Sequence, residues 1–472
     1  MSGKFKALFG AQNMTIGSPL KCLLKFSFPL LIGNIAQLLY GTVDSIVVGR
    51  YVGDRALSAI GVASPTLNLF LVLFIAIGSG VMVMVSQYFG AGEYEKLEQS
   101  IGNSITLIAL VSVVLTTAGL LGLDWILTVT KAPPESYDMA RTYMFICLTA
   151  LASNGFYNIM AGILRGMGES VYPLLVLLGT TVLNIFLDIW FVSGLGLGIA
   201  GAALATIIGQ TLSAIACLAK VLMSRKYFHL TPRSLILRKD VLKIVCRLGL
   251  PNGIAQAIMW LSTIVVQRLN NTMGYMVTAA ITAMLRVDSF AMIPGTTFNM
   301  SASTFTGQNV GAGRLDRVKK GTYTVFFMSL TLSVIMIILM LIFGRWMIGL
   351  FTKTQELIDM GYSMIIAMLP AYLLISVGQS FGGVIRGAGD SMGVMWISLV
   401  AQTVIRIPAA YLIAYLTRSE QYPAGDPRSC FWALVLALFC IAVTTLIYYR
   451  AGRWKNKGIT AKAKAAQAKA LN

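Results

Sequence analysis

The chain has 472 residues, 57% of them hydrophobic and 12% charged, with a mean hydropathy of +0.76. An ordinary soluble domain carries roughly a quarter charged residues, so a soluble globular protein is excluded and an integral membrane protein is indicated. The formal net charge of +19 then has to be explained by topology rather than by an exposed basic domain.

Apolar runs of about 20 residues or more, each able to cross a hydrocarbon core of ~30 Å, recur along the whole chain. They predict twelve helices, near residues 24–48, 58–88, 100–123, 137–160, 173–193, 197–223, 241–269, 278–307, 321–350, 356–380, 393–417 and 429–450. Backbone surrounded by lipid must satisfy its own hydrogen bonds, and the runs lack the short alternation of a barrel, so the fold class is all-α integral membrane. The longest polar connection, 224–240, contains Pro232 and the single histidine, His229. It separates an N-terminal lobe of six helices, 1–223, from a C-terminal lobe of six more, 241–454. The tail, 455–472, is rich in Lys and Ala and suits a helix lying on the inner leaflet.

Orientation follows from the basic residues. With the N-terminus inside, the cytoplasmic side takes Lys4, Lys6, Lys21, Lys25, the segments 220–247 and 314–320, and the tail from Arg450. The outer loops keep scattered charges such as Arg50, Arg55, Lys131 and Arg428. The positive-inside rule therefore places both termini of a multi-pass protein in the cytoplasm. This bias, with attraction to anionic lipid, accounts for the net charge. Nucleic acid is not expected as a partner, because the basic residues flank helices and no soluble domain presents them.

The chain also repeats itself. Residues 162–170 read GILRGMGES and residues 383–391, 221 positions later, read GVIRGAGDS. The same offset relates Gln87 and Gln308, which open QYFGAG and QNVGAG, and to within one residue it relates Pro29 and Pro251. The protein is thus two copies of one unit. Six helices per copy make the copies parallel, pseudo-symmetric repeats about an axis along the membrane normal, with a substrate path expected between them.

Other motifs carry little. Gly196, Gly198 and Gly201 spell GxGxxG, but they open a transmembrane helix with no strand before them. No GxxxxGK[ST] occurs, which argues against an ATP-driven pump. Cys22, Cys147, Cys217, Cys246, Cys430 and Cys440 lack CxxC spacing and read as small apolar residues, so neither zinc nor a disulfide framework is implied. His229 alone assembles no catalytic set, and no nucleophile with a base is visible, so an enzyme is not expected.

What remains are ionisable residues inside helices, which are costly there and are functional candidates by default. Asp44 and Asp188 each lie about five residues from the outer end of a helix, roughly 7 Å below the surface at the α-helical rise. Asn184 precedes Asp188 by one turn on the same face, while Tyr143 and Thr206 reach similar depth. These five form a polar cluster in the first copy. Two carboxylates withdrawn from water respond in charge to a proton and to each other, which is what a cation-coupling site needs. A static cluster that locks helices together is the alternative. The carboxylates are absent from the second copy, since Asp188 falls opposite Ala409 and Asp44 opposite 262–265. That copy carries its own polar set, Arg286, Asp288 and Arg406, in which Asp288 and Arg406 fall at comparable depth, ~15 Å from the outer end. A buried ion pair is expected there, structural or acting on substrate.

At this point the residues carry a resemblance. PLLIGNIAQLLYGTVDSIVVGRYVG (29–53), QYFGAG, LRGMGES, LNIFLD (183–188), GIAGAALAT (198–206) and IPGTTFNMSASTFTGQNVGAG together resemble the multidrug and toxic compound extrusion (MATE) family of prokaryotes, over essentially all twelve helices. The resemblance implies two six-helix lobes in a V shape, in a bacterial plasma membrane, that export lipophilic organic cations by proton or sodium antiport. It implies coupling roles for Asp44, Tyr143, Asn184, Asp188 and Thr206, and a bending first helix with Pro29, Asn34, Gln37 and Tyr40 lining the cavity. Sodium-coupled relatives are associated with acidic residues in helices 7 and 10; the corresponding places here are near Met259 and Ser376, so a second-lobe cation site of that type is not supported.

Proton-driven export is therefore expected, by alternating access and without a cofactor other than the ion gradient. The chain is expected to act as a monomer in contact with membrane lipid. A sodium-driven version, with Na⁺ at Asp44 and Asp188, stays open because sodium takes oxygen ligands as readily. A flippase for a lipid-linked oligosaccharide is the rival from another class; it would be expected to carry a Lys/Arg-lined cavity, whereas the first lobe is acidic.

Overall fold

A computed structural model of the chain describes residues 10–130, 133–420, 422–460, 465 and 468; for 42–46, 49, 50, 54 and 57 it describes the backbone alone. Among the described residues all regular structure is helical. The first half contains α1 (Pro19–Tyr51), α2 (Asp54–Ala91), α3 (Tyr94–Leu121), the short α4 (Leu123–Val129), α5 (Tyr137–Thr149), α6 (Leu151–Gly166), α7 (Val171–Asp188) and α8 (Gly198–Leu222). The second contains α9 (Lys239–Thr272), α10 (Tyr275–Gly311), α11 (Leu315–Gly349), α12 (Gln355–Gly387), α13 (Ser391–Leu399), α14 (Arg406–Leu416) and α15 (Ser429–Arg450).

Eleven of these stretches are long and apolar enough to cross a membrane, and twelve when α5 and α6 are taken as one broken span. The count agrees with the hydropathy pattern. The fourth helix expected over 137–160 forms as a broken span: α5 and α6 meet at 45°. The cause is Ala150, whose N–H bonds the carbonyl of Cys147 at 3.2 Å, so the i to i−4 ladder is interrupted there without a proline. Two further spans contain π-helical turns. Residues Ile189–Gly194 continue α7 directly after Asp188, and Val400–Ile405 join α13 to α14 directly before Arg406. Such turns widen the helix by one residue and re-aim the side chains beside them.

Two helices run past their expected ends, to Gly166 and Gly387, and the glycines there are packing positions. A Cβ at Gly166 of α6 would sit 2.7 Å from the carbonyl oxygen of Met82 in α2, and one at Gly387 of α12 would overlap the Ser303 carbonyl in α10. One turn earlier, Gly162 faces the Gly78 carbonyl at 3.0 Å and Gly383 faces the Asn299 carbonyl at 2.5 Å. All four positions in each set, the glycines and the carbonyls they meet, are related by the 221-residue offset. Small residues let helix backbones approach where lipid offers no hydrophobic drive to associate. The offset reaches the backbone as well. Positive φ values recur at Gly53 (100°) and Gly274 (98°), which precede α2 and α10, and at Gly168 (84°) and Gly389 (102°), which follow α6 and α12. Only glycine adopts these without strain. After each of the last two, a carboxylate accepts from the start of the next helix: Glu169 from the N–H groups of Val171 and Tyr172, Asp390 from that of Gly393.

The long connection is bound along its length. Its 3₁₀ turn, Pro232–Leu235, lies against α3, where Asn103 Nδ2 donates to the Ser234 carbonyl at 3.0 Å. In return Asn103 Oδ1 accepts from the Arg238 N–H at 2.6 Å. The expected surface helix of the tail falls largely outside the described residues; a 3₁₀ turn at Arg453–Asn456 precedes it, and Thr460 donates to the Gly311 carbonyl.

The described chain groups into two compact units. One holds 28–253 with the described residues up to Met14, and the other holds 15–27 with 254 onward. The division crosses α1 one residue before Pro29 and α9 two residues after Pro251. Each of these prolines lacks an N–H and so omits one bond of its helix ladder.

Candidate functional site

The first unit assembles most of the sequence-derived cluster. Asp188, at the last turn of α7, is fully buried, and Asn184 one turn earlier is 1% exposed. Their spacing of four places both side chains on one face of α7. In the amide orientation that satisfies both neighbours, Asn184 donates to Asp188 Oδ2 at 3.0 Å and its oxygen accepts from the Thr206 N–H of α8 at 3.2 Å. The Thr206 hydroxyl in turn accepts from Tyr40 Oη of α1 at 3.2 Å. A bonded chain therefore runs from a buried carboxylate on α7 through α8 to α1.

Tyr143, on α5, and Thr206 line one cavity of about 180 Å³, which they share with Ser64 and Asn68 of α2, Asn154 of α6 and Gln210 of α8. The break at Ala150 shapes it, with Tyr143 and Cys147 on one limb and Leu151 and Asn154 on the other. Asp44 lies on the backbone of α1, but its side chain falls outside the described residues. Pro29, Asn34, Gln37 and Tyr40 all lie within α1; Gln37 is exposed and the other three are half-buried. The structure thus joins Asp188, Asn184, Thr206 and Tyr40 by hydrogen bonds and joins Tyr143 to them through the cavity wall.

The polar set of the second copy does not come together. Among the described residues the ion pairs are Lys96–Glu93, Arg141–Asp124, Arg345–Asp359 and Arg428–Asp426, so the expected pair between Asp288 and Arg406 is not formed. Asp288, on α10, accepts from Tyr372 Oη of α12 at 2.7 Å. Arg406 donates to Gln402 Oε1 at 3.1 Å and to Thr263 Oγ1 at 3.3 Å. Arg286 is exposed. Each buried charge is met by neutral hydrogen-bond partners, so its desolvation is offset by those bonds and not by an opposite charge.

Tyr372 was not singled out from sequence, and its apolar surroundings gave no signal; it is packed with Met284, Val287, Met368 and Ile375. Tyr372→Phe is expected to cost about 1–3 kcal/mol, because a buried acceptor loses its donor. The measurement is the unfolding midpoint in detergent, and an unchanged midpoint would show that the phenol is dispensable to Asp288.

Chemically, the first-unit site offers carboxylate, amide, hydroxyl and phenol groups in a row. It can hold or pass a cation. Among the described residues no group of three or more His, Cys, Asp or Glu comes together as a metal site.

Comparison with known proteins places this arrangement. The sequence profile of the MatE family matches residues 29–190 and again residues 251–412, one match in each half and together well over half of the chain. The chain is 28% identical over 443 residues to the probable multidrug resistance protein YoeA of Bacillus subtilis (strain 168), covering 92% of this chain and 94% of that protein. It is 22% identical to the multidrug export protein MepA of Staphylococcus aureus (strain MSSA476), covering 91% and 93%. Among solved structures, an outward-facing multidrug resistance MATE family transporter of the MOP superfamily superposes with a TM-score of 0.87 at 22% identity, over 94% of this chain and 97% of that one. One match in each half of the duplication settles the assignment: the chain belongs to the MatE family of membrane transporters, the multidrug and toxic compound extrusion family.

Proposed function

We propose that the protein exports lipophilic organic cations in exchange for protons, with Asp188 and Asp44 as the exchanging carboxylates. The observation that carries this reading is the bonded chain from buried Asp188 through Asn184 and Thr206 to Tyr40 on α1. A proton arriving at Asp188 removes the charge that Asn184 addresses, and the change reaches α1 through Thr206. There Pro29 leaves the helix ladder one bond short, so α1 can bend at little expense. Bending alters the wall that a bound cation meets, and proton and drug then compete through a coupling free energy. The halves 1–223 and 241–454 act as the two lobes of the cycle, both termini lie in the cytoplasm, and a monomer suffices with the ion gradient as sole energy source. The relatives named as multidrug resistance and export proteins support drug-like substrates.

One feature favours a second reading. Asp188, Asn184 and Thr206 present only oxygen ligands when the amide turns, a set that a sodium ion also accepts. Purified protein in liposomes, loaded with a cationic dye and given either a proton or a sodium gradient, separates the two. Dye efflux driven by the proton gradient alone is the expected result. Efflux driven only by sodium would replace proton coupling, and no movement under either gradient would point to a lipid-linked substrate.

A further inference from the structure

We infer that the connecting segment and the start of α3 form a binding site for the headgroup of an aminophospholipid, a phosphate beside a primary ammonium; this site is independent of the export reading. The segment lies along α3 within the first unit, and a cleft of about 510 Å³ opens between them. Small-molecule ligands occupy clefts of roughly 300–1,000 Å³. Glu95, Glu98 and Gln99 line this one from α3, and Thr231, Arg233 and Arg238 line it from the segment.

The cleft carries both signs of charge without cancelling them. Among the described residues no ion pair joins Glu95 or Glu98 to Arg233 or Arg238. Glu98 accepts instead from Thr231 Oγ1 at 3.1 Å, and Arg238 donates to Gln99 Oε1 at 2.6 Å. Glu95 and Glu98 are three residues apart and so share a face of α3. An ammonium donates to carboxylates, and a guanidinium donates to phosphate oxygens. A ligand that holds both groups answers both walls, whereas a purely anionic or purely cationic one meets like charge on one of them.

Depth favours a lipid over a dissolved ligand. The charges of α3 end at Glu98, and none follows from Gln99 to Leu121. At 28 residues α3 is ~42 Å long, ~12 Å more than a hydrocarbon core needs. With that excess shared between its ends, the core begins near Glu98. The segment dips past this level: Thr106, ~12 Å beyond Glu98 along the helix, donates to the Leu235 carbonyl at 2.7 Å. Backbone at such depth needs partners, and Asn103 supplies two more, at Ser234 and Arg238. Gly102 leaves the room, since a Cβ there would overlap the Ser234 carbonyl. The tip, Leu235, Ile236 and Leu237, is exposed, and Ile236 also lines the cleft. Apolar side chains at hydrocarbon depth beside mixed charge at headgroup depth match the two ends of a phospholipid.

Native mass spectrometry of the full-length protein in detergent tests the site, with phosphatidylethanolamine, phosphatidylcholine and phosphatidylglycerol of the same acyl chains added in turn. The ethanolamine lipid is expected to be retained about tenfold better than the other two, because choline has no N–H to donate and glycerol has no ammonium. Glu95→Gln should erase this preference. Arg233→Gln should weaken all three lipids about fivefold, the share of one basic residue at a lipid surface. Both side chains are exposed, so both variants should unfold like the wild type. Equal retention of the three lipids by the wild type would overturn the inference, as would wild-type behaviour of either variant. Binding of soluble phosphoethanolamine as tightly as the lipid would also overturn it and would make the cleft a site for a dissolved ligand.

Discussion

Asp188→Asn is expected to lower proton-driven dye efflux by roughly 5- to 150-fold, the range that a coupling free energy of ~1–3 kcal/mol spans. The substitution separates charge from shape. An asparagine can present its own oxygen to the Asn184 amide that now meets Asp188 Oδ2 at 3.0 Å, so the packing of α7 against α8 persists while the titrating group is gone. The variant should insert, purify and unfold like the wild type. Thr206→Val should act on the same route more weakly, because it removes the 3.2 Å bond from Tyr40 and leaves the carboxylate. A single neutral bond contributes about 0.5–1.5 kcal/mol, hence a loss of only a few-fold. Efflux rates under an imposed pH gradient, normalised to inserted protein, decide the matter. Wild-type efflux from Asp188→Asn would remove the carboxylate from the mechanism and leave the cluster a structural device.

The second large effect is expected at the repeated glycines. An alanine Cβ at Gly387 would meet backbone of Ser303, its Cα at 2.8 Å and its carbonyl carbon at 2.9 Å. Backbone cannot swing aside as a side-chain tip does, so α12 must move off α10. Overpacking of this kind costs about 1–3 kcal/mol, and Gly166→Ala should behave alike in the first half, against Met82. For a control, Gly179 of α7 has nothing within 4 Å of a Cβ. Gly179→Ala should leave the midpoint unchanged or raise it, because alanine is the better helix former by about 1 kcal/mol. Thermal unfolding in one detergent compares all three. Equal midpoints for Gly387→Ala and Gly179→Ala would show that the close approach carries no stability.

Hydropathy made the helices legible because a lipid solvent leaves the backbone one choice, and the last span was read as 429–450, the same residues that form α15. The break at Ala150 was hidden, since no proline or glycine occupies that position. Within the site, Asn184 and Asp188 were legible as neighbours from a spacing of four. The same spacing relates Ser64 to Asn68, Tyr143 to Cys147 and Thr206 to Gln210, so the polar face of each helix could have been read from sequence. Which faces meet is a tertiary fact, and Tyr40 and Thr206 are 166 positions apart. The expected Asp288–Arg406 pair failed for the same reason. Equal depth along two helices says nothing of rotation about their axes, and Tyr372 took the carboxylate instead.

Residues 15–27 group with the second unit and 239–253 with the first. Consider the chain in the order a ribosome makes it. The first unit is incomplete until residue 253 has emerged, well beyond the end of the first six spans. The piece of α1 belonging to the second unit is made almost first and waits for everything after residue 254. Neither unit is therefore drawn from one copy of the duplication alone: each takes in a helix end that belongs, by sequence, to the other copy.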